Sequence, residues 1–173
     1  MPSTRFAPRG SAKQLEEGRV FAPKFDADGL IRAIVADCWS GEVLMLAYMN
    51  EQALANSIET CEAWFYSPSR NALWRKGEKS GNTLRIFEIR VNCEQDGLLV
   101  KVEQNTKGIC HTGYASCFYR TLGLREPAGR MLLLTRHGVE RVFDPSDLNN
   151  DSEKTRHWED SRTECRACTE DAA

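Results

Sequence analysis

The sequence predicts an α+β fold that is rich in β: a small barrel-like or twisted antiparallel sheet carrying one short helix. Three observations carry this prediction. Short runs of Val, Ile, Leu and aromatic residues with strand-like patterning recur from residue 29 onward. Turn residues separate these runs at hairpin spacing. Only one segment, 51–60, has both a capping residue and a helical pattern. At 173 residues the chain is about one domain, long enough to bury a core.

Residues 1–24 read as a polar, poorly ordered lead-in. Its opening, "MPSTRFAPRGSAKQ", is basic and lacks the apolar stretch of a secretory signal; it reads as a frayed terminus rather than an organelle transit peptide. "GLIRAIVAD" (29–37) is a strand, "SGEV" turns the chain, and "VLMLAYM" (43–49) returns as the second strand of a hairpin. Asn50 suits an N-cap for "EQALANSIET". "AWFY" (63–66) is strand again and "SPSRN" a turn. In "LRIFEIRVNCE" (84–94) the set Arg85, Phe87, Ile89 and Val91 is the more apolar, so it is predicted to face the core. "GLLVKVEQ" (97–104) follows a tight turn and completes another hairpin. "ASCFYRTL" and "RMLLLTRHGVERVF" are further strand candidates. The patterned domain thus covers 25–122, a strand extension 123–148, and a polar, disordered tail 149–173.

Charge and hydropathy narrow the function. A formal net charge of −2 supplies no overall basic field for nucleic acid, and no apolar run approaches the roughly 20 residues that span a bilayer. Seven cysteines, an odd number, occur without a secretory signal. The expected setting is the reducing cytoplasm, where cysteines are buried, metal-bound or catalytic more often than paired.

Three groups carry chemistry. Cys93, Cys110 and Cys117 are spaced C-x₁₆-C-x₆-C, unlike a structural zinc knuckle. Three thiolates suit a catalytic zinc with one open position; the alternative is buried thiols acting as small hydrophobes. His111 is then either a ligand or the base acting on a water. Asn92, Glu94 and Asp96 alternate, and on an extended segment they would share a face and offer oxygens to Mg²⁺, or else form a solvated acidic turn. "YSPSRNALWRKGEKSGN" (66–82) gathers Arg70, Arg75, Lys76 and Lys79 with small residues such as Ser80 and Asn82, which suits an anionic, phosphorylated ligand and equally an ordinary polar surface loop. Cys165 and Cys168 form a lone C-x-x-C, read as an exposed pair, a metal half-site or a redox pair.

In one order, "LMLAYMNEQAL" (44–54), "YSPSRNALWRKGEKSGN", "NCEQDGLLVKVEQ" (92–104) and "CHTGYASCFYR" (110–120) closely resemble the phosphoribosyl-AMP cyclohydrolases of histidine biosynthesis. The resemblance runs from about residue 25 to 122 and implies an intertwined homodimer acting on a phosphorylated nucleotide. The implied reaction is hydrolytic opening of the adenine ring of 1-(5-phosphoribosyl)-AMP at N1–C6. Cys93, Cys110 and Cys117 match the family's zinc ligands, drawn from two subunits. His111 matches the histidine that handles the catalytic water, and Lys76 the lysine of "KGE" near the substrate. Arg70 would join Lys76 at the substrate phosphates, Ser80 and Asn82 of the same loop are further substrate-binding candidates, and by the likeness Asn92, Glu94 and Asp96 fall on a D-x-D-x-D trio that binds Mg²⁺. Asn92 and Glu94 depart from that trio, Pro68 stands where the family usually has arginine, and Lys79 where it has threonine. Two other readings stay open: a diverged paralogue hydrolysing or deaminating another purine-like ring, and a non-catalytic zinc-binding dimer.

Overall fold

The computed structural model describes residues 6–78, 80–105, 108–124, 131–136 and 139–145. Lys79, the tail from 146 and with it Cys165 and Cys168 lie outside the described residues. The first strands, β1 (Ile31–Asp37) and β2 (Val43–Met49), form the expected antiparallel hairpin. Ile31, Ala33 and Val35 of β1 point inward while Arg32 and Ile34 face out, the period-2 pattern of a half-buried strand.

Among the described residues there are two helices, one more than the sequence reading predicted. α1 (Ala12–Glu17) lies inside the supposed lead-in and begins with a capping box between Ser11 and Gln14. α2 (Glu51–Thr60) is the expected one: Asn50 accepts the Ala53 N–H at 2.8 Å, and Ala53, Leu54 and Ser57 form its buried face. The buried Ser57 hydroxyl ties α2 to the next strand, accepting the Trp64 N–H at 3.0 Å.

β3 (Trp64–Ser67) and β4 (Ala72–Arg75) make a hairpin around the "SPSRN" turn. β5 (Leu84–Val91) and β6 (Gly97–Gln104) make another. The six strands lie in the order β4-β3-β2-β1-β6-β5. The sheet is mixed rather than purely antiparallel, because β1 and β6 run parallel. They are joined through the intervening strands and not by a hairpin, so nothing forces them to oppose. The sheet also curls back on itself: Ala63 N–H donates to Leu84 O at 3.0 Å and Ile86 N–H to Cys61 O at 2.7 Å. The free edge of β5 thereby meets the segment entering β3, which gives the barrel-like curvature. Phe65, Leu44, Met49, Leu54, Val35, Val100 and Val102 fill its interior.

The predicted inward set of β5 is corrected over its first half. Leu84 and Ile86 are the buried residues there. A bulge leaves Phe87 unpaired between Ile86↔Val102 and Glu88↔Lys101, so the inward parity switches and Ile89 packs on the core beyond it. Phe87 instead meets the exposed Trp39 with ring centroids 6.0 Å apart. Past the main sheet, β7 (Arg120–Leu122) pairs with β8 (Leu134–Arg136), the one described strand of the C-terminal extension.

Candidate active site

Because β1 and β6 are parallel, their C-terminal ends lie side by side, next to the start of β2 and the start of β5. Three loops converge at this end. The loop after β6 carries Cys110, His111 and Cys117; the loop before β5 carries Lys76, Ser80 and Asn82. The third element is a bulge in β2. Val35 pairs with Met45 and Ala36 with Val43, so Leu44 is the extra residue and its carbonyl is released from the β1 ladder. Cys117 N–H donates to that carbonyl at 2.7 Å, and the Ser116 hydroxyl donates to Val43 O at 2.8 Å. The bulge is therefore the anchor of the cysteine loop. "SGEVLMLAYM" gives no sign of it.

Asn82 is buried and its Nδ2 donates to Gly108 O at 3.2 Å. Asn105 Nδ2 donates to Gly81 O at 2.9 Å, so the two loops are stitched in both directions. Asn82, expected to contact substrate, spends its amide on the loop, and the Ser80 hydroxyl accepts the Asn82 N–H at 3.4 Å. Gly77 explains the glycine of "KGE". Its φ is +85°, and a Cβ there would lie 2.3 Å from the backbone of Asn82 and Thr83. Gly113 has φ +91° and sits against Phe143 O, while its own carbonyl accepts the Val142 N–H at 2.8 Å. The C-terminal extension thus rests on the cysteine loop, beside a stacked Tyr114–Tyr119 pair at 3.9 Å.

Within this frame Cys110 and Cys117 meet through their thiols, and Lys76 lies in electrostatic reach of both. Partial burial of its sulfur, then the neighbouring Cys110 thiol, pushes Cys117 up to about 12, with Lys76 opposing. Burial holds the Lys76 amine below its ordinary value, and the two thiols partly counter that. His111 is exposed beside the pair. Cys110 Sγ also lies 2.9 Å from Thr112 Oγ1.

Cys93 is not part of this cluster. It is exposed in the turn from β5 into β6, at the opposite end of the sheet. β6 has eight residues, a separation of roughly 23 Å at the usual strand rise. Among the described residues no three His, Cys, Asp or Glu side chains form a metal-holding group. Arg70 is also placed apart from Lys76, at the tip of the β3–β4 hairpin. There its Nε donates to Ser67 Oγ at 3.2 Å and its guanidinium lies 5.7 Å from the Trp74 ring. Arg75 is committed to Glu62 at 2.9 Å.

The acidic trio is folded differently from the extended segment that the alternation requires. Residues 92–97 form a tight turn in which Asn92 Oδ1 accepts the N–H of Asp96 at 3.0 Å and of Gly97 at 2.9 Å. Asn92 Nδ2 donates to Asp96 Oδ1 at 2.6 Å. An amide N–H₂ cannot ligate a cation, and the amide oxygen is already used by the backbone. The trio Asn92, Glu94 and Asp96, as folded, does not fit a shared Mg²⁺. Asn92→Asp is expected to replace this hydrogen bond by a like-charge contact, costing about 1 kcal/mol without divalent ions. Saturating Mg²⁺ should restore the melting temperature of that variant and leave the unmodified chain unmoved. Equal stabilisation of both would show that the native turn binds the ion.

Comparison with known proteins agrees with the arrangement of these motifs. The family described as "Phosphoribosyl-AMP cyclohydrolase" matches residues 45–119. A phosphoribosyl-AMP cyclohydrolase of Nitrobacter winogradskyi is 49% identical over 138 residues, covering 80% of this chain and 93% of the relative. One from Rhodopseudomonas palustris is 49% identical over 141 residues, covering 82% and 95%. One from Bradyrhizobium diazoefficiens is 46% identical over 132 residues, covering 76% and 91%. With identity of this order over most of both sequences, the chain belongs to the phosphoribosyl-AMP cyclohydrolase family.

Proposed function

We propose that this chain is a zinc-dependent phosphoribosyl-AMP cyclohydrolase of histidine biosynthesis that works as a homodimer. The observation that carries the proposal is the meeting of Cys110 and Cys117, on a loop anchored by the Leu44 bulge, with Lys76 of the loop before β5, in a chain of this family. Two adjacent thiols are a soft donor pair that fits zinc and leaves a third ligand to be found. Cys93 is too distant to supply it in the same chain, which argues for Cys93 of the partner subunit. An apolar outer surface supports such pairing: Ile34 (43% exposed) and Leu46 (49% exposed) are cross-strand neighbours on β1 and β2.

The substrate's N1 substituent draws electrons from the adenine ring, so C6 accepts a nucleophile. Zinc, when bound, lowers the pKa of water and supplies hydroxide near neutral pH. His111, exposed beside Cys110, takes the water proton on an imidazole nitrogen. It returns a proton to the ring nitrogen as N1–C6 opens. The Lys76 ammonium balances the charge of the two thiolates. Ser80 and Asn82 hold the loops that carry these groups, and Arg70, exposed at its hairpin tip, meets a substrate phosphate. The turn at 92–97 supplies no step.

The test is turnover of phosphoribosyl-AMP, followed by the absorbance change on ring opening, with zinc-loaded protein and with a chelator-treated control. Turnover that disappears with zinc and returns on its addition supports the reading. A zinc-loaded dimer that does not turn over overturns it.

A further inference from the structure

We infer that residues 6–24 form a strap that holds the Cys93 turn in shape, with Gln95 as the positioning residue that fastens it. This rests on the reading of Cys93 as a zinc ligand. Gln95 is 6% exposed, although Asn92, Cys93 and Glu94 around it are exposed. Its side chain points away from solvent and into the N-terminal segment. Oε1 accepts the Ala22 N–H at 2.7 Å, and Nε2 donates to Leu15 O at 3.0 Å and Val20 O at 3.3 Å. The Gln95 carbonyl accepts the Lys24 N–H at 2.7 Å. Arg9 adds a second clasp, donating to Ala22 O at 2.9 Å and to Glu94 O at 3.0 Å.

The strap has its own purchase on the fold. Phe6, Phe21 and Phe25 pack against the hydrophobic core, with Phe6 and Phe21 edge to face at 5.4 Å. A segment fixed in this way transmits rigidity to whatever it is bonded to. What it is bonded to is the tip of an exposed turn whose Gln95 has φ +55°, a left-handed conformation that a non-glycine residue keeps only when its surroundings enforce it. Without the strap, the Asn92 cap would be the remaining brace of the turn. Cys93 lies between these two braces. A ligand that must meet two thiols on another chain gains affinity from being held in the bound shape beforehand. The strap lies outside the residues 45–119 that the family model matches.

The experiment measures zinc affinity of the full-length dimer by chelator competition for Gln95→Ala and Arg9→Ala, each with Cys93 intact and with Cys93→Ser. Urea midpoints recorded in parallel report any general loosening. With Cys93 present, Gln95→Ala is expected to weaken zinc about 10-fold. Arg9→Ala, a surface change compatible with folding, should weaken it less and in the same direction. In the Cys93→Ser background neither change should matter further, because the group being positioned is gone. Equal losses in both backgrounds would mark Gln95 as merely structural and overturn the inference. So would unchanged affinity in Gln95→Ala while Cys93→Ser alone weakens binding. Unchanged affinity in Cys93→Ser would instead overturn the ligand reading, and the strap's role with it.

Discussion

His111→Ala is expected to lower kcat by about 10²- to 10⁴-fold while zinc per chain stays the same. The reason lies in where His111 sits. It follows Cys110 directly, in a loop whose two ends are anchored by Asn82 Nδ2 on Gly108 O and by Cys117 N–H on Leu44 O. Cys110 is buried and His111 exposed, so the backbone turns the thiol toward Cys117 and leaves the imidazole open to an incoming ligand. In the proposed reaction a base at this place would serve the water and the ring nitrogen in turn. Thiolate ligands donate charge to the metal and soften its pull on water, which raises the demand on that base. Metal analysis of the purified variant checks the division of roles. Loss of zinc together with activity would make His111 a ligand.

Mixing two inactive variants, Cys93→Ser and Cys110→Ser, is expected to restore about a quarter of wild-type activity after co-refolding. Random pairing makes half of the dimers mixed, and each mixed dimer has one site with all three thiols and one with a single thiol. The geometry behind this is the eight-residue length of β6, which keeps Cys93 from the Cys110–Cys117 pair within a chain. As folded, the β1–β6 and β5–β6 ladders and the Cys117 N–H bond to Leu44 O hold the two places at opposite ends of the sheet. Absence of recovery, with both single variants folded and dimeric, would place all the zinc ligands in one chain. Full zinc retention by Cys93→Ser alone would remove Cys93 from the site.

Much of the local structure was legible in the residues. The strands 43–49 and 97–104 and the helix 51–60 stand where alternation and the Asn50 cap place them. α1 has a signal in the residues, the Ser11-x-x-Gln14 capping box, but no apolar periodicity behind it. β4 was hidden because "ALWR" sits inside a stretch of small and cationic residues that also reads as a phosphate loop. Of the two readings that Asn92, Glu94 and Asp96 left open the structure has the turn, and alternation alone does not choose because it is common to a strand end and to a tight turn. Only the left-handed Gln95 separates them.

What the sequence by itself determined is local: which segments extend, where α2 begins, and the motifs that identify the family. Each depends on neighbours a few residues away, and those are visible in any linear reading. The tertiary structure decided the bulges at Leu44 and Phe87, the parallel pairing of β1 with β6, and the end of the sheet at which each cysteine lies. A bulge is settled by the register of two strands against each other, and register by packing on both faces, so no single segment encodes it. The same pairing brought Lys76 to the thiols of Cys110 and Cys117 and carried Cys93 to the far end, under the N-terminal strap.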